Sequence, residues 1–75
     1  MLKIKDNIDL DNLYNYGFLK TTKKQQLLYV WQNKYSINVI EINAKTREII
    51  NLGDRSGNVV LFDLIEQGYV EKVEE

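Results

Sequence analysis

The sequence predicts an α+β fold in which a three-stranded antiparallel meander lies between two helices, in the order α-β-β-β-α. Three observations carry this expectation. Tyr16-Gly17-Phe18 and Gln67-Gly68-Tyr69 each place a glycine and then an aromatic after a run with helical spacing. Between these stops lie three segments rich in branched and aromatic residues, which read as strands. Their connections are short enough to require antiparallel neighbours. Both helices would then pack on one face of the sheet.

The elements follow in order. Met1 to Lys5 alternates apolar and basic residues, as a short half-buried strand does. Asp9 suits an N-cap, with Ile8 and Leu13 at the two positions of a hydrophobic staple and Asp11 near the positive helix end. The first helix therefore spans residues 10–16, Gly17 takes the left-handed position after it, and Phe18 folds back on Leu13. Leu19 to Gln26 is polar, carries three lysines and reads as a loop. Leu27 to Trp31 is the first meander strand, and Asn33-Lys34 turns into the second, Ser36 to Ile42. Asn43 to Thr46 connects to the third, Arg47 to Leu52.

Gly53 to Gly57 is a flexible lead into the second helix, which Asn58 or Ser56 would cap and which runs to Gln67. On it Val60, Leu61, Leu64 and Ile65 form a wide apolar stripe, with Phe62 at its edge. Asp63, Glu66 and Gln67 share the other face with Val59. Gly68 ends the helix, and Tyr69 packs back on Leu64. Val70 to Val73 could form a last short strand, its glutamates opposite Lys3 and Lys5.

Composition bounds the chemistry. At 75 residues the chain is one domain, 1–75, and one of this size buries a modest core. It contains no cysteine and no histidine, so disulfides and the usual zinc sites are excluded. Stability must come from the apolar core that a 44% hydrophobic composition allows, with oligomerisation as a possible supplement. Ten basic and eleven acidic residues mix along the chain, apart from the acidic end Glu71-Lys72-Val73-Glu74-Glu75. No apolar run suits a signal peptide or a membrane span, which leads to the expectation of a cytosolic protein.

No constellation demands a reaction. Asp6, Asp9 and Asp11 are close in sequence but lack the glycine and closing glutamate of a calcium loop, and capping explains two of them. Gly53-Asp54-Arg55-Ser56-Gly57-Asn58 lacks the lysine and spacing of a phosphate loop. Ser36 and Ser56 have no histidine to activate them. The expectation is a non-enzyme with no catalytic residue, no metal and no cofactor, a small enzyme ranking third among the readings.

The element order resembles the double-stranded-RNA-binding domain. That resemblance implies nucleic-acid binding, for which Lys20, Lys23, Lys24 and Arg55 are the residues available. It covers topology alone, because Ser56-Gly57-Asn58-Val59-Val60 lacks the lysine cluster with which that family opens its second helix. The ends resemble small uncharacterised accessory proteins of phages and prophages of Gram-positive bacteria. The matching residues are Ile4-Lys5-Asp6-Asn7-Ile8-Asp9-Leu10 with Tyr16-Gly17-Phe18, and Phe62-Asp63-Leu64-Ile65 with Gly68 to Glu75. This resemblance implies no activity. It implies a class whose members often bind and block a host protein in the host cytosol, an anti-CRISPR inhibitor being one example.

One feature does not suit two simple layers. Both faces of the expected meander are apolar, with Leu27, Tyr29 and Trp31 on one side and Leu28 and Val30 on the other. Pairing Ile40 with Ile49 leaves Ile40, Ile42 and Ile49 together opposite Val39 and Ile50, whereas pairing Ile40 with Ile50 groups Ile37, Val39 and Ile49. The extra face would be covered by residues 18–26 or the terminal strands, or bind a protein partner or a second copy in a homodimer. Tyr29, Trp31 and Ile49 are the expected partner-binding residues, and core packing is the other role open to the two aromatics.

Overall fold

Four antiparallel strands, β2 (Leu19–Lys23), β3 (Gln26–Gln32), β4 (Asn38–Asn43) and β5 (Ile49–Asn51), form the main sheet in the order β2-β3-β4-β5. The computed structural model describes residues 1–74; Glu75, last of the acidic end, lies outside them. A second, two-stranded sheet pairs β1 (Leu2–Ile4) with β6 (Val70–Lys72). A 3₁₀ helix (Leu10–Tyr16) precedes β2, and α1 (Arg55–Glu66) lies between β5 and β6. The regular secondary structure of the described residues is thus mostly strand, with one α-helix, and the expected three-stranded meander between two helices is overturned.

The difference has a local cause. Residues 19–26, expected as loop, are β2 and a hairpin turn into β3, with Leu19 opposite Val30 and Lys23 opposite Gln26. Lys24 and Gln25 make the turn with φ of 50° and 64°, the left-handed pair that a two-residue hairpin of the twisted kind requires. Asn-Gly normally signals such a turn, and Lys-Gln does not. All five β2 residues are exposed, so the strand shows no alternation of apolar and polar residues either.

The first helix has its expected bounds but is 3₁₀ in form. Asp9 caps it by accepting from the Asp11 amide at 2.9 Å, and the Asn12 amide reaches the Asp9 carbonyl at 3.0 Å. Gly17 closes it at φ 92°, and the Phe18 amide bonds back to the Leu13 carbonyl. The second helix starts earlier than expected. Asp54, neither Ser56 nor Asn58, is its N-cap, and Asn58 instead accepts from the Asn51 side chain at 2.9 Å. Gly68 lies at φ 77°, and the Tyr69 amide bonds to the Leu64 carbonyl at 3.0 Å, as the glycine-aromatic stop predicts.

The terminal strands pair with Lys3 opposite Glu71, their charged ends 3.5 Å apart. Lys3 also bridges to Glu48 of the chain entering β5, and the Ile4 amide bonds to the Arg47 carbonyl, so the small sheet abuts the large one.

In the β4–β5 hairpin Ile40 pairs with Asn51 and Ile42 with Ile49, two residues beyond the expected Ile40–Ile49 register and one beyond Ile40–Ile50. Ile40, Ile42 and Ile49 nonetheless share the inner face, because a shift of two residues preserves the face. An irregularity at Trp31/Gln32 pairs Trp31 with Ile40 and Gln32 with Asn38, leaving Val39 without a partner in β3. That extra residue is a bulge, and it lets Val39 and Ile40 both turn inward, at 1% and 0% exposure. The core is formed by Ile4, Leu13, Phe18, Tyr29, Val39, Ile40, Ile42, Ile49 and Leu64. It lies between the inner face of the main sheet and the two helical segments.

Candidate protein-interaction surface

The sequence-predicted anchors are mostly inside. Tyr29 is buried, its ring edge-on to Tyr14 at 5.9 Å between centroids. Its hydroxyl donates to Asp11 Oδ1 at 2.8 Å, tying β3 to the 3₁₀ helix. Burial, with the Asp11 hydrogen bond adding to it, pushes the Tyr29 phenol above its usual pKa. Ile49 is buried opposite Ile42. Neither side chain is presented to a partner by this fold, which corrects the surface expected from Tyr29 and Ile49. Alternation along a strand cannot tell which of two apolar faces the helices will cover. Trp31 alone of the three reaches the surface, half-buried at the margin of the core.

The opposite sheet face is also largely closed. Leu28 and Val30 are 6% and 3% exposed, and the apolar residues open on it are Leu19 and Ile50 at its margins.

The basic residues do not converge. Lys20 lies on the inner-face side of β2, beside Tyr29 and 3.9 Å from Asp11. The Tyr29 hydroxyl is the main cause of its raised pKa. Lys23 points to the other face and meets Glu41 at 3.4 Å. Lys24 is in the hairpin turn, and Arg55 is the first residue of α1. Period-two geometry separates Lys20 from Lys23, and carboxylates engage both.

The acidic trio is equally dispersed in role. Asp6 pairs with Lys3, Asp9 caps the 3₁₀ helix and Asp11 accepts from Tyr29. Among the described residues, no group of three or more carboxylates is placed to hold a metal ion.

Two surface features were missed by the sequence reading. The first is the outward side of α1, where Val59, Phe62 and Ile65 are 66%, 59% and 46% exposed. They recur at every third position, an arc of about 120° on the helix, with Arg55, Asp63 and Glu66 around them. The inward side is built from Gly57 and Leu64, with Val60 and Leu61 half-buried. This arc was readable from helical spacing. Assigning Ile65 to the inner stripe and Phe62 to its edge hid it.

The second is a pocket of about 430 Å³ lined by Trp31, Asn33, Lys34, Tyr35, Asp54 and Ser56. Asn33 frames it: its side-chain oxygen accepts the Tyr35 and Ile37 amides, and its nitrogen donates to Asp54 Oδ2 at 2.9 Å. Asp54 Oδ1 accepts from the Ser56 hydroxyl at 2.6 Å and the Ser56 amide at 2.8 Å. The Ser56 bonds, followed by that from Asn33, hold the Asp54 carboxyl below the usual carboxylate range. Nothing in the local sequence announces a pocket, because it joins a hairpin turn to a helix cap twenty-one residues later.

No family model, curated protein or solved structure matches the chain. Among the described residues, no helix is long and apolar enough to cross a membrane.

Proposed function

We propose that the chain is a non-enzymatic interaction module that binds another protein through the outward side of α1. The observation that supports this is the exposure of Val59, Phe62 and Ile65 together on a helix whose inward side already serves the core. A surface helix needs one apolar stripe to fold, and a second stripe facing water gains nothing until something covers it. Phe62 is the anchor, because aromatic side chains carry a large share of interface energy.

The wording of the chain's ends suggests the setting, an accessory phage protein acting on a protein of its host. Occupying a partner's surface, as an anti-CRISPR inhibitor does, requires no catalytic group. A foreign partner is favoured over a second copy joined through the sheet, since Tyr29 and Ile49 are inside and Leu28 and Val30 are covered. Nucleic-acid binding is the weaker reading because its four basic residues lie on different surfaces.

The test compares wild type with Phe62→Glu as baits in a Gram-positive host lysate. Both should give the same circular dichroism, since Phe62 is mostly exposed. A host protein held by the wild type and lost with Phe62→Glu is the expected result. Equal recovery by both baits, or no recovery by either, would sink the proposal. Light scattering of the wild type alone reports whether a second copy is the occupant instead.

A further inference from the structure

We propose that the pocket between the β3–β4 turn and the start of α1 takes the guanidinium of an arginine side chain presented by a partner protein. The inference rests on the reading of the chain as an interaction module, but it concerns a different surface from the outward side of α1. Its volume, about 430 Å³, is within the usual range for ligand pockets, roughly 300–1,000 Å³, and exceeds what one side-chain head needs.

The walls select a cation. Trp31 and Tyr35 supply aromatic surface, and Tyr35 is 69% exposed although nothing about a hairpin turn requires a large ring there. Aromatic faces attract cations through their negative quadrupole. The Lys34 ammonium already stands 5.1 Å from the Tyr35 ring centroid, so the chain's own cation uses that ring face. Asp54 adds a carboxylate that stays ionised at neutral pH. Ser56 takes both acceptor sites of Asp54 Oδ1, and Asn33 takes one of the two on Oδ2, so Oδ2 keeps one site for an incoming donor.

Arginine suits this set better than lysine. A guanidinium is planar and can lie flat on an aromatic ring while one of its N–H groups donates to a carboxylate, whereas an ammonium approaches ring and carboxylate only as a point charge. The site is also preorganised. Asn33 holds the Tyr35 backbone and the Asp54 carboxylate at once, so little ordering is left for the ligand to impose. On binding, the incoming guanidinium displaces Lys34 from the Tyr35 ring.

The chain provides its own reporter, because Trp31 is its single tryptophan. The experiment titrates the full chain with N-acetyl-arginine amide and follows Trp31 fluorescence. The glutamine and lysine analogues are run alongside at matched ionic strength. A saturable change with the arginine compound is expected, stronger than with lysine and absent with glutamine.

Three variants sharpen the test. Asp54→Asn keeps a side-chain oxygen able to cap α1 and should weaken binding about tenfold, the loss of one charge-assisted contact. Tyr35→Ala removes an exposed ring and should also weaken it. Lys34→Ala removes the internal competitor and should tighten it. No saturable response, an equal response to glutamine, or unchanged binding in Asp54→Asn would overturn the proposal. Phe62→Glu should leave the arginine response intact, so failure of the α1 surface and failure of this pocket are read separately.

Discussion

Lys23 on β2 and Glu41 on β4 meet at 3.4 Å across the strand that separates them. In the sheet register Lys23 is opposite Gln26 and Glu41 is opposite Val30, so the pair passes over Leu28, midway between those rows. This accounts for a leucine on the non-core face being only 6% exposed. Glu41 is fixed in turn by Asn38, which accepts from Gln32. A polar chain thus lies across the apolar surface that the sequence seemed to leave open.

The covering group is the lysine stem more than its charge. Exposed ion pairs contribute about 0–1 kcal/mol, and Lys23 is half exposed. Aliphatic stems, however, shield the apolar surface they cross. Lys23→Met should therefore keep the denaturant midpoint close to wild type, while Lys23→Ala lowers stability by about 0.5–1 kcal/mol. If Met loses as much as Ala, the charge and not the stem is what matters.

Gly57 and Val39 give a second measurable pair. A Cβ added at Gly57 would lie 2.5 Å from Val39 Cγ1 and 3.3 Å from Ile40 Cγ1. The bulge drives Val39 inward, and a glycine in the first turn of α1 makes room for it. Gly57→Ala should destabilise by about 1–3 kcal/mol, despite alanine's better helix propensity. Val39→Ala should cost a comparable amount by leaving a cavity. The double variant should cost clearly less than the two losses added, because alanine at position 39 vacates the space the new methyl needs. Simple additivity in urea unfolding would show that the helix shifts instead.

These pairs show what the sequence could and could not disclose. Gly17 and Gly68 were legible because a left-handed residue followed by an aromatic is a local device, and both hold. The Lys3–Glu71 pairing was legible because its ends alternate in charge and polarity. β2 was not, since its turn is made by Lys24 and Gln25 against their backbone preference, and tertiary pairing overrides that preference. Val39 was not, because a bulge cancels the alternation from which faces are read. For the same reason Trp31 could be singled out, but its pocket could not. Asn33 and Asp54, which build it, are neighbours only in the folded chain.

Arg47 carries the last prediction. Its backbone is left-handed at φ 67°, a conformation unusual for a residue with a Cβ. Its guanidinium donates to the carbonyls of Lys5 and Ile8, both at 2.7 Å, and so clips the segment after β1 to the turn before β5. Two opposed effects follow from any substitution. Losing the guanidinium leaves the Ile8 carbonyl without its donor and the Lys5 carbonyl with the Ile8 amide alone, whereas glycine at this position removes backbone strain. Arg47→Ala should therefore lose about 2–3 kcal/mol. Arg47→Gly should lose about 1 kcal/mol less, the relief of the left-handed backbone. Hydrogen exchange should localise the change, with the Ile8 amide, bonded to the Lys5 carbonyl at 3.1 Å, exchanging faster in both variants. Equal stabilities for Ala and Gly would mean that no strain is stored at position 47. An unchanged Ile8 amide would mean that the clip does not hold the N-terminal segment.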